Sequence, residues 1–177
     1  MPEAPLEVKD GGLVCVGDGW FVLNLEEARW RDANRLGRGM SPQGDTRFEQ
    51  VGIALRHLEP GQTLAMYHRE QDQEDFLVLR GEGALIVEGG ERPLKQWDLF
   101  HCPSGTAHAI VGGPLVVLAV GARGHEIEAG TGWGEYPVDE LAQRHGVGVH
   151  EWTDDPTLAY ADVGDPVPTR YGGWLRG

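Results

Sequence analysis

Basic side chains are scarce in this sequence of 177 residues. It has 15 lysines and arginines against 28 acidic residues, which gives a formal net charge of −13. Because nucleic-acid binding needs a concentrated basic surface that neutralises phosphates, we expect no nucleic-acid partner. An acidic surface favours solubility and carries no information about the fold.

Long apolar segments and cysteines are also scarce. The longest apolar run covers only residues 115–120, whereas a membrane-spanning helix needs about 20 apolar residues, so we expect no membrane span. Residues 1–5 lack the basic and apolar regions of a secretory signal peptide. The two cysteines, Cys15 and Cys102, offer no disulfide framework. Together these absences predict a cytoplasmic protein.

Glycine, by contrast, is abundant, and it separates short runs of β-forming residues. The chain has 27 glycines, and the runs recur about every eight to twelve residues, a spacing typical of an antiparallel sandwich or barrel. We expect residues 81–83 and 88–91 to form turns. The strands predicted for the central region are residues 50–58, 63–70, 76–80, 84–87, 92–95, 99–102, 107–111 and 115–120.

The pattern predicts one all-β barrel with additions at both ends. No second copy of the central pattern occurs. Residues 13–16 and 20–25 are predicted to be further strands on the N-terminal side. We therefore divide the chain into three parts: an N-terminal arm with strands and a loop (residues 1–46), the barrel core (47–122), and C-terminal helices with an extended tail that pack on the barrel (123–177).

Helix signals are confined to the C-terminal part. Residues 138–145 are predicted to form a helix with acidic residues in its first turn and Gly146 as its stop. Asp155 followed by Pro156 is typical of the start of a second, short helix. Residues 163–177 are expected to be extended and to pack on the surface.

Four side chains of the central region have metal-binding chemistry. His68 and Glu70 lie two residues apart in a predicted strand, so they share one face of it. Glu74 and His108 belong to later strands and come close only if the sheet curls on itself. Two imidazoles with one or two carboxylates inside a barrel form a site for a divalent transition metal.

The spacing of these residues resembles the two sequence motifs of the cupin superfamily. Glu74 and Gly81 match the end of the first motif, and residues 103–108 (Pro-Ser-Gly-Thr-Ala-His) match the centre of the second. The resemblance covers residues 50–121 and implies a jelly-roll β-barrel, a bound metal and a homodimer. The chain also resembles a bacterial group of single-domain cupins of the conserved-barrel cupin 2 type, which has no assigned function.

Carried over residue by residue, the motifs assign the metal to three ligands, His68, Glu74 and His108. Glu70 stands where the first motif has its second histidine. It is either a fourth ligand or a side chain that holds a ligating histidine in place. Trp97 stands where the second motif begins with glycine, and Gly112 where it ends with asparagine. The ligand set suits Fe, Mn, Ni or Zn.

Two side chains, Glu70 and His101, are candidates for moving a proton during a reaction in the barrel. His101 lies between Phe100 and Cys102, where it is either a hydrogen-bonded core histidine or a polar group that faces the cavity. Glu70 can instead belong to a solvated turn. Cys102 is expected to face away from His101 and to stay out of the ligand set.

Three functions are compatible with the sequence. The first is a metal-dependent enzyme of the oxygenase, isomerase or lyase type that acts on a small molecule in the barrel. The second is a module that binds or senses a metal or a small molecule without changing it. The third, a structural barrel, is the weakest, because buried polar groups without a partner cost about 1–3 kcal/mol each.

Overall fold

The computed structural model describes residues 1–124 and 134–175 and consists mainly of β-strands. The part of the C-terminal division that covers residues 125–133, 176 and 177 lies outside the described residues. No helix within the described ranges is long and apolar enough to cross a membrane. The strands of these ranges are β1 (Leu6–Lys9), β2 (Gly12–Cys15), β3 (Trp30–Asp32), β4 (Arg38–Met40), β5 (Val51–Leu58), β6 (Arg69–Glu70), β7 (Glu74–Val87), β8 (Gly90–Lys95), β9 (Leu99–Cys102), β10 (His108–Ala122), β11 (Gly134–Glu135) and β12 (Val167–Thr169).

Most of these strands form one large antiparallel sheet in the order β12-β3-β4-β5-β10-β7-β8, and β9 also pairs with β7, along the same edge as β8. The first part of β7 pairs with β9, and its second part pairs with β8. Phe76 from the first part and Leu85 from the second part belong to the same buried apolar cluster. The sheet is therefore folded over itself around one core, as expected for a jelly-roll barrel.

The turn predicted at residues 81–83 is wrong, because these residues lie within the continuous strand β7. The register between β7 and β10 shifts opposite this point, between Gly112 and Leu115. Gly81 has a φ of +80°, and a Cβ there would lie 2.1 Å from the carbonyl oxygen of Pro114. Such a bulge bends a strand without ending it, and glycine supplies the positive φ that the bend needs.

Other predicted strands also differ from the structure. The two strands predicted at residues 107–111 and 115–120 are one strand, β10. Residues 63–70 form a strand only at β6, and Thr63 and His68 make isolated bridges to β10. Residues 20–25 do not form a strand, although Trp20 makes a single bridge to Glu3.

The predicted helices are confirmed as the short helices α1 (Glu140–Arg144) and α2 (Pro156–Ala159). The carboxylates of Asp139 and Asp155 cap their N-termini and accept hydrogen bonds from backbone amides at 2.8 and 2.7 Å. A 3₁₀-helix (Asn34–Leu36) precedes β4.

The C-terminal tail packs on the outer face of the sheet. The ring of Trp174 stacks on His57 of β5 with a centroid distance of 4.6 Å. Trp174 also meets the buried Trp30 of β3 edge-on at 4.8 Å. The tail thereby covers the side of β5 that faces away from the barrel core.

Replacing Gly81 with alanine is expected to lower the free energy of unfolding by about 3 kcal/mol or more. A positive φ costs a residue with a Cβ about 1–2 kcal/mol, and the contact with Pro114 adds an overpacking cost of about 1–3 kcal/mol. Gly61→Ala is the matched control, because Gly61 has a φ of +82° but no atom near the position of its Cβ. Urea unfolding of the two variants measures the difference; equal losses would show that the Pro114 contact is harmless.

Candidate metal centre

His68 and His108 face each other across a pair of backbone hydrogen bonds. The amide of His68 donates to the carbonyl of His108 at 3.1 Å, and the amide of His108 donates to that of His68 at 2.8 Å. Residues paired in this way place their side chains on the same face. The two buried imidazole rings consequently lie 4.8 Å apart, measured between their centroids.

Each imidazole is oriented by a carbonyl two residues earlier in the chain. Nδ1 of His68 lies 2.7 Å from the carbonyl oxygen of Met66, and Nδ1 of His108 lies 3.1 Å from that of Thr106. When Nδ1 donates its proton to a carbonyl, Nε2 is the nitrogen available to a metal. Both rings are thus held with Nε2 towards the same point.

Glu74, the first residue of β7, completes this group. Its Oε2 lies 3.4 Å from Nε2 of His108 and 3.9 Å from Nε2 of His68. One ligand atom from each of the three residues can be chosen so that all lie within 4.8 Å of one another. Oε2 of Glu74 and Nε2 of His108 are buried and have no hydrogen-bond partner among the described residues. Two imidazoles and one carboxylate with two such unsatisfied atoms fit a divalent transition metal.

Glu70 lies beside this group but is not one of its three members. Its Oε1 is 3.2 Å from Nε2 of His68, and its side chain is 20% exposed. The structure therefore brings together all four side chains that the sequence singled out, with Glu70 on the solvent side. Its assignment as a fourth ligand stays a prediction.

Burial and mutual charge shift the pKa values of the group. Burial raises the pKa of Glu74 to about 7, and the charge of Glu70 adds to this shift while His68 opposes it. Burial lowers the pKa of His108 to about 3, with a further contribution from the charge of His68. Burial also acts against protonation of His68, but its hydrogen bond to Glu70 and the charges of Glu74 and Glu70 raise its pKa overall. In the metal-free group, His68 and Glu74 therefore hold a proton more readily than usual, and His108 less readily.

Cys102 lies behind His108, on the side of Nδ1. Its Sγ is 3.4 Å from that nitrogen, and burial raises the pKa of the thiol to about 12, with the charge of Glu74 adding to the shift. A neutral thiol on the far side of the ring is not a metal ligand. This position agrees with the expectation that Cys102 stays out of the ligand set.

The structure places His101 away from the metal group. Its side chain is therefore neither a hydrogen-bonded core histidine nor a polar group that faces the cavity. It is 58% exposed, and its Nδ1 lies 2.7 Å from Oδ1 of Asp75. Successive residues of a strand point to opposite faces, and its neighbour Cys102 is the one that faces the core. His101 therefore lies on the outside of the barrel.

One neighbour of the group was missed from the sequence. Tyr136 is buried, and its ring centroid lies 6.0 Å from that of His68. It follows β11 directly, and β11 pairs with β6. No local signal links Tyr136 to His68, since only this strand pairing brings the two residues together.

A cleft of about 320 Å³ opens beside Glu70. Glu70, Ser104 and the ring of Trp152 are among its lining residues. The indole nitrogen of Trp152 donates to Oε2 of Glu135 at 2.9 Å, and Glu135 also forms an ion pair with Arg69. Because Glu70 contacts both His68 and this cleft, the cleft is the nearest opening to the three-residue group that the described residues show.

The same central segment matches a known family. Residues 54–130 match the sequence model of the Cupin domain family. This central segment forms a cupin-like domain. The structure describes both departures from the second cupin motif. Trp97, which replaces the motif's glycine, adopts a φ of +73°, a value that glycine adopts easily. Gly112 replaces the motif's asparagine, and a Cβ at this position would lie 2.4 Å from Cβ of Leu58.

Several solved structures resemble this one to differing extents. A Cupin 2 conserved barrel domain protein from Salinispora arenicola is 17% identical, with a TM-score of 0.51 over 63% of this chain and 95% of that one. A sugar phosphate isomerase from Silicibacter pomeroyi is 29% identical, with a TM-score of 0.43 over 49% of this chain and 59% of its own. The polyketide cyclase RemF from Streptomyces resistomycificus is 18% identical, with a TM-score of 0.42 over 48% and 63%.

Of these three similarities, the one to the Salinispora protein supports the fold, and none of them supports an activity. The chain spans about three fifths of the length of the last two proteins. The Salinispora protein, with its higher TM-score, shares the barrel alone at that level of identity. No curated protein matches this sequence significantly.

Proposed function

We propose that this protein is a metal-dependent enzyme that acts on a small molecule next to His68, Glu74 and His108. One observation supports this most: Nε2 of His108 and Oε2 of Glu74 are buried without a partner. Such atoms cost about 1–3 kcal/mol each when nothing satisfies them, and a divalent cation would satisfy both. Fe, Mn, Ni and Zn all suit this ligand set.

The chain's own residues have distinct tasks in this proposal. Both imidazoles and Glu74 would hold the metal, which would supply a Lewis acid for a substrate oxygen. Met66 and Thr106 fix the two rings through their carbonyls. Glu70 lies at the solvent side of the group, where its carboxylate can accept or return a substrate proton. Oxygenase, isomerase and lyase reactions all use these tasks.

The cleft beside Glu70 supports entry of the small molecule from that side. Its walls carry polar side chains and the 56%-exposed Trp152, a combination that suits a polar ligand with one flat apolar face. The proposal also includes a homodimer. Trp97 and Leu99 support it, since both are large, apolar and more than 60% exposed on one side of the barrel.

Metal content and turnover test the enzyme proposal together. Protein purified without nickel affinity resin is expected to hold about one transition metal per chain by elemental analysis. Chelated protein is then reloaded separately with Fe²⁺, Mn²⁺, Ni²⁺ or Zn²⁺ and incubated with a metabolite extract, which is followed by mass spectrometry. We expect at least one loaded form, and not the metal-free form, to consume a compound. Consumption by the metal-free form at the same rate would contradict the proposal.

The second candidate function is a binding or sensing module. The position of His101 outside the barrel favours this function. Of the two predicted proton carriers, Glu70 alone lies at the site, whereas an enzyme often needs both an acid and a base. In the same experiment this module would retain a compound on the metal-loaded protein and release it unchanged. That outcome would replace the enzyme proposal.

A further inference from the structure

Two arginines flank a glycine on one face of the sheet. Arg31 of β3 pairs with Gly39 of β4, and Gly39 pairs with Arg56 of β5. Directly paired residues share a face, so both guanidinium groups extend over the same side of the sheet. A Cβ at Gly39 would lie 2.3 Å from Nη1 of Arg56. The side chain of Arg56 therefore occupies the space that glycine leaves open.

These residues line a pocket of about 300 Å³. Arg29 adds a third guanidinium, and none of the described residues that line the pocket is acidic. This concentration of positive charge is unusual in a chain with a formal net charge of −13. No residue that lines this pocket lines the cleft beside Glu70 or belongs to the three-residue metal group.

Carboxylates just outside the pocket neutralise part of this charge. Asp45 accepts hydrogen bonds from Arg29 at 2.7 Å and from Lys9 at 3.0 Å. Asp10 lies 3.6 Å from Arg29 and 3.5 Å from Arg31. Two carboxylates thus face three basic groups, and with Arg56 an excess of positive charge remains at the pocket.

Arg56 is the arginine without such a partner. Its side chain makes no hydrogen bond or ion pair with any described residue, and it extends, partly buried, over Gly39 of β4. Burial lowers the pKa of its guanidinium, an effect that nearby Tyr160 opposes. Arginine nevertheless stays charged in proteins. A partly buried cation without an anion is costly, and a bound anion would offset that cost.

We propose that this pocket binds an oxyanion, the phosphate or carboxylate group of a small molecule, between Arg31 and Arg56. The planar fork of a guanidinium suits two parallel hydrogen bonds to such a group. The glycine between the two arginines leaves room for the anion and for the side chain of Arg56. The net charge of −13 repels polyanions such as nucleic acid from the whole molecule, whereas the pocket of about 300 Å³ has room for a single small group.

Titration calorimetry on the metal-free protein tests this site with inorganic phosphate and with acetate, at a constant ionic strength set by NaCl. We expect saturable binding of one phosphate or one acetate per chain. Arg56→Gln should lower the affinity for the anion at least tenfold. Arg92→Gln removes the same charge from an exposed position on β8 and should leave it unchanged. Tighter binding of phosphate indicates a phosphate-bearing ligand, and tighter binding of acetate indicates a carboxylate.

Further variants separate this site from a structural role and from the metal centre. Gly39→Ala keeps every charge but displaces the guanidinium of Arg56, so it should weaken binding as well. The thermal midpoint of Arg56→Gln without ligand should not fall, because its guanidinium has no partner to lose. Three results would overturn the proposal: no saturable binding of either anion, equal affinity in Arg56→Gln, or loss of binding in His108→Ala but not in Arg56→Gln.

Discussion

Replacing His108 with alanine is expected to lower the affinity for a divalent metal by more than about 100-fold. Loss of a residue that only orients a ligand costs about 10–100-fold, and His108 supplies a ligand atom itself. Its Nε2 is buried and directed at Oε2 of Glu74, so no neighbouring imidazole can replace it. Competition with a chromogenic chelator measures the affinity, and turnover should fall in parallel if the protein is an enzyme.

His101→Ala is the matched control for this variant. His101 is also a histidine on a barrel strand, but it is exposed and pairs with Asp75. We expect its metal affinity to equal that of the unaltered protein. If both variants lost the metal to the same extent, the ligand set assigned here would be wrong.

Replacing Glu74 with glutamine is expected to abolish tight metal binding and, at the same time, to stabilise the metal-free protein at alkaline pH. The pKa of Glu74 is raised from 4.5 to about 7, chiefly by burial. A carboxyl whose pKa is raised on folding contributes stability that is complete below pH 4.5 and is lost as the pH rises through about 7. Above that pH the metal-free fold contains a buried negative charge beside Glu70, which glutamine removes.

Urea unfolding of both metal-free proteins at pH 5 and pH 8 measures this effect. We expect nearly equal stabilities at pH 5 and an advantage for Glu74→Gln on the order of 1–3 kcal/mol at pH 8. Taking the difference between the two proteins cancels the other titrating groups. An advantage at pH 5 that vanished at pH 8 would contradict the sign of the pKa shift. Added metal should stabilise only the protein with Glu74.

The sequence was sufficient to bring His68, Glu74 and His108 together as one group, because each lies in a recognisable motif. His68 and Glu74 are close in the chain, and the segment that ends at His108 has a recognisable turn, so motif spacing predicted all three. The alternation in β9 also carried information: Phe100 and Cys102 share the inner face, which leaves His101 outside. This alternation excludes both positions expected for His101, in the core and facing the cavity.

Features that depend on pairing between distant strands could not be predicted in the same way. Gly81 resembles a turn residue, and only its contact with Pro114 shows that the strand continues through a bulge. The alignment of Arg31 with Arg56 depends on the register of two strand pairs. Tyr136 reaches His68 because β11 pairs with β6. None of these contacts leaves a periodic signal in the sequence.

The two isolated bridges that join residues 63–68 to β10 also affect how long a metal would remain bound. Segments with few ladder hydrogen bonds open locally at a lower free energy than the core strands. His68 lies at one of these bridges, whereas Glu74 and His108 belong to the long strands β7 and β10. Release of a bound metal would therefore require the segment with His68 to separate from β10. The residence time of the metal would then follow the rate at which this segment opens. Amide hydrogen exchange at His68 measures that opening.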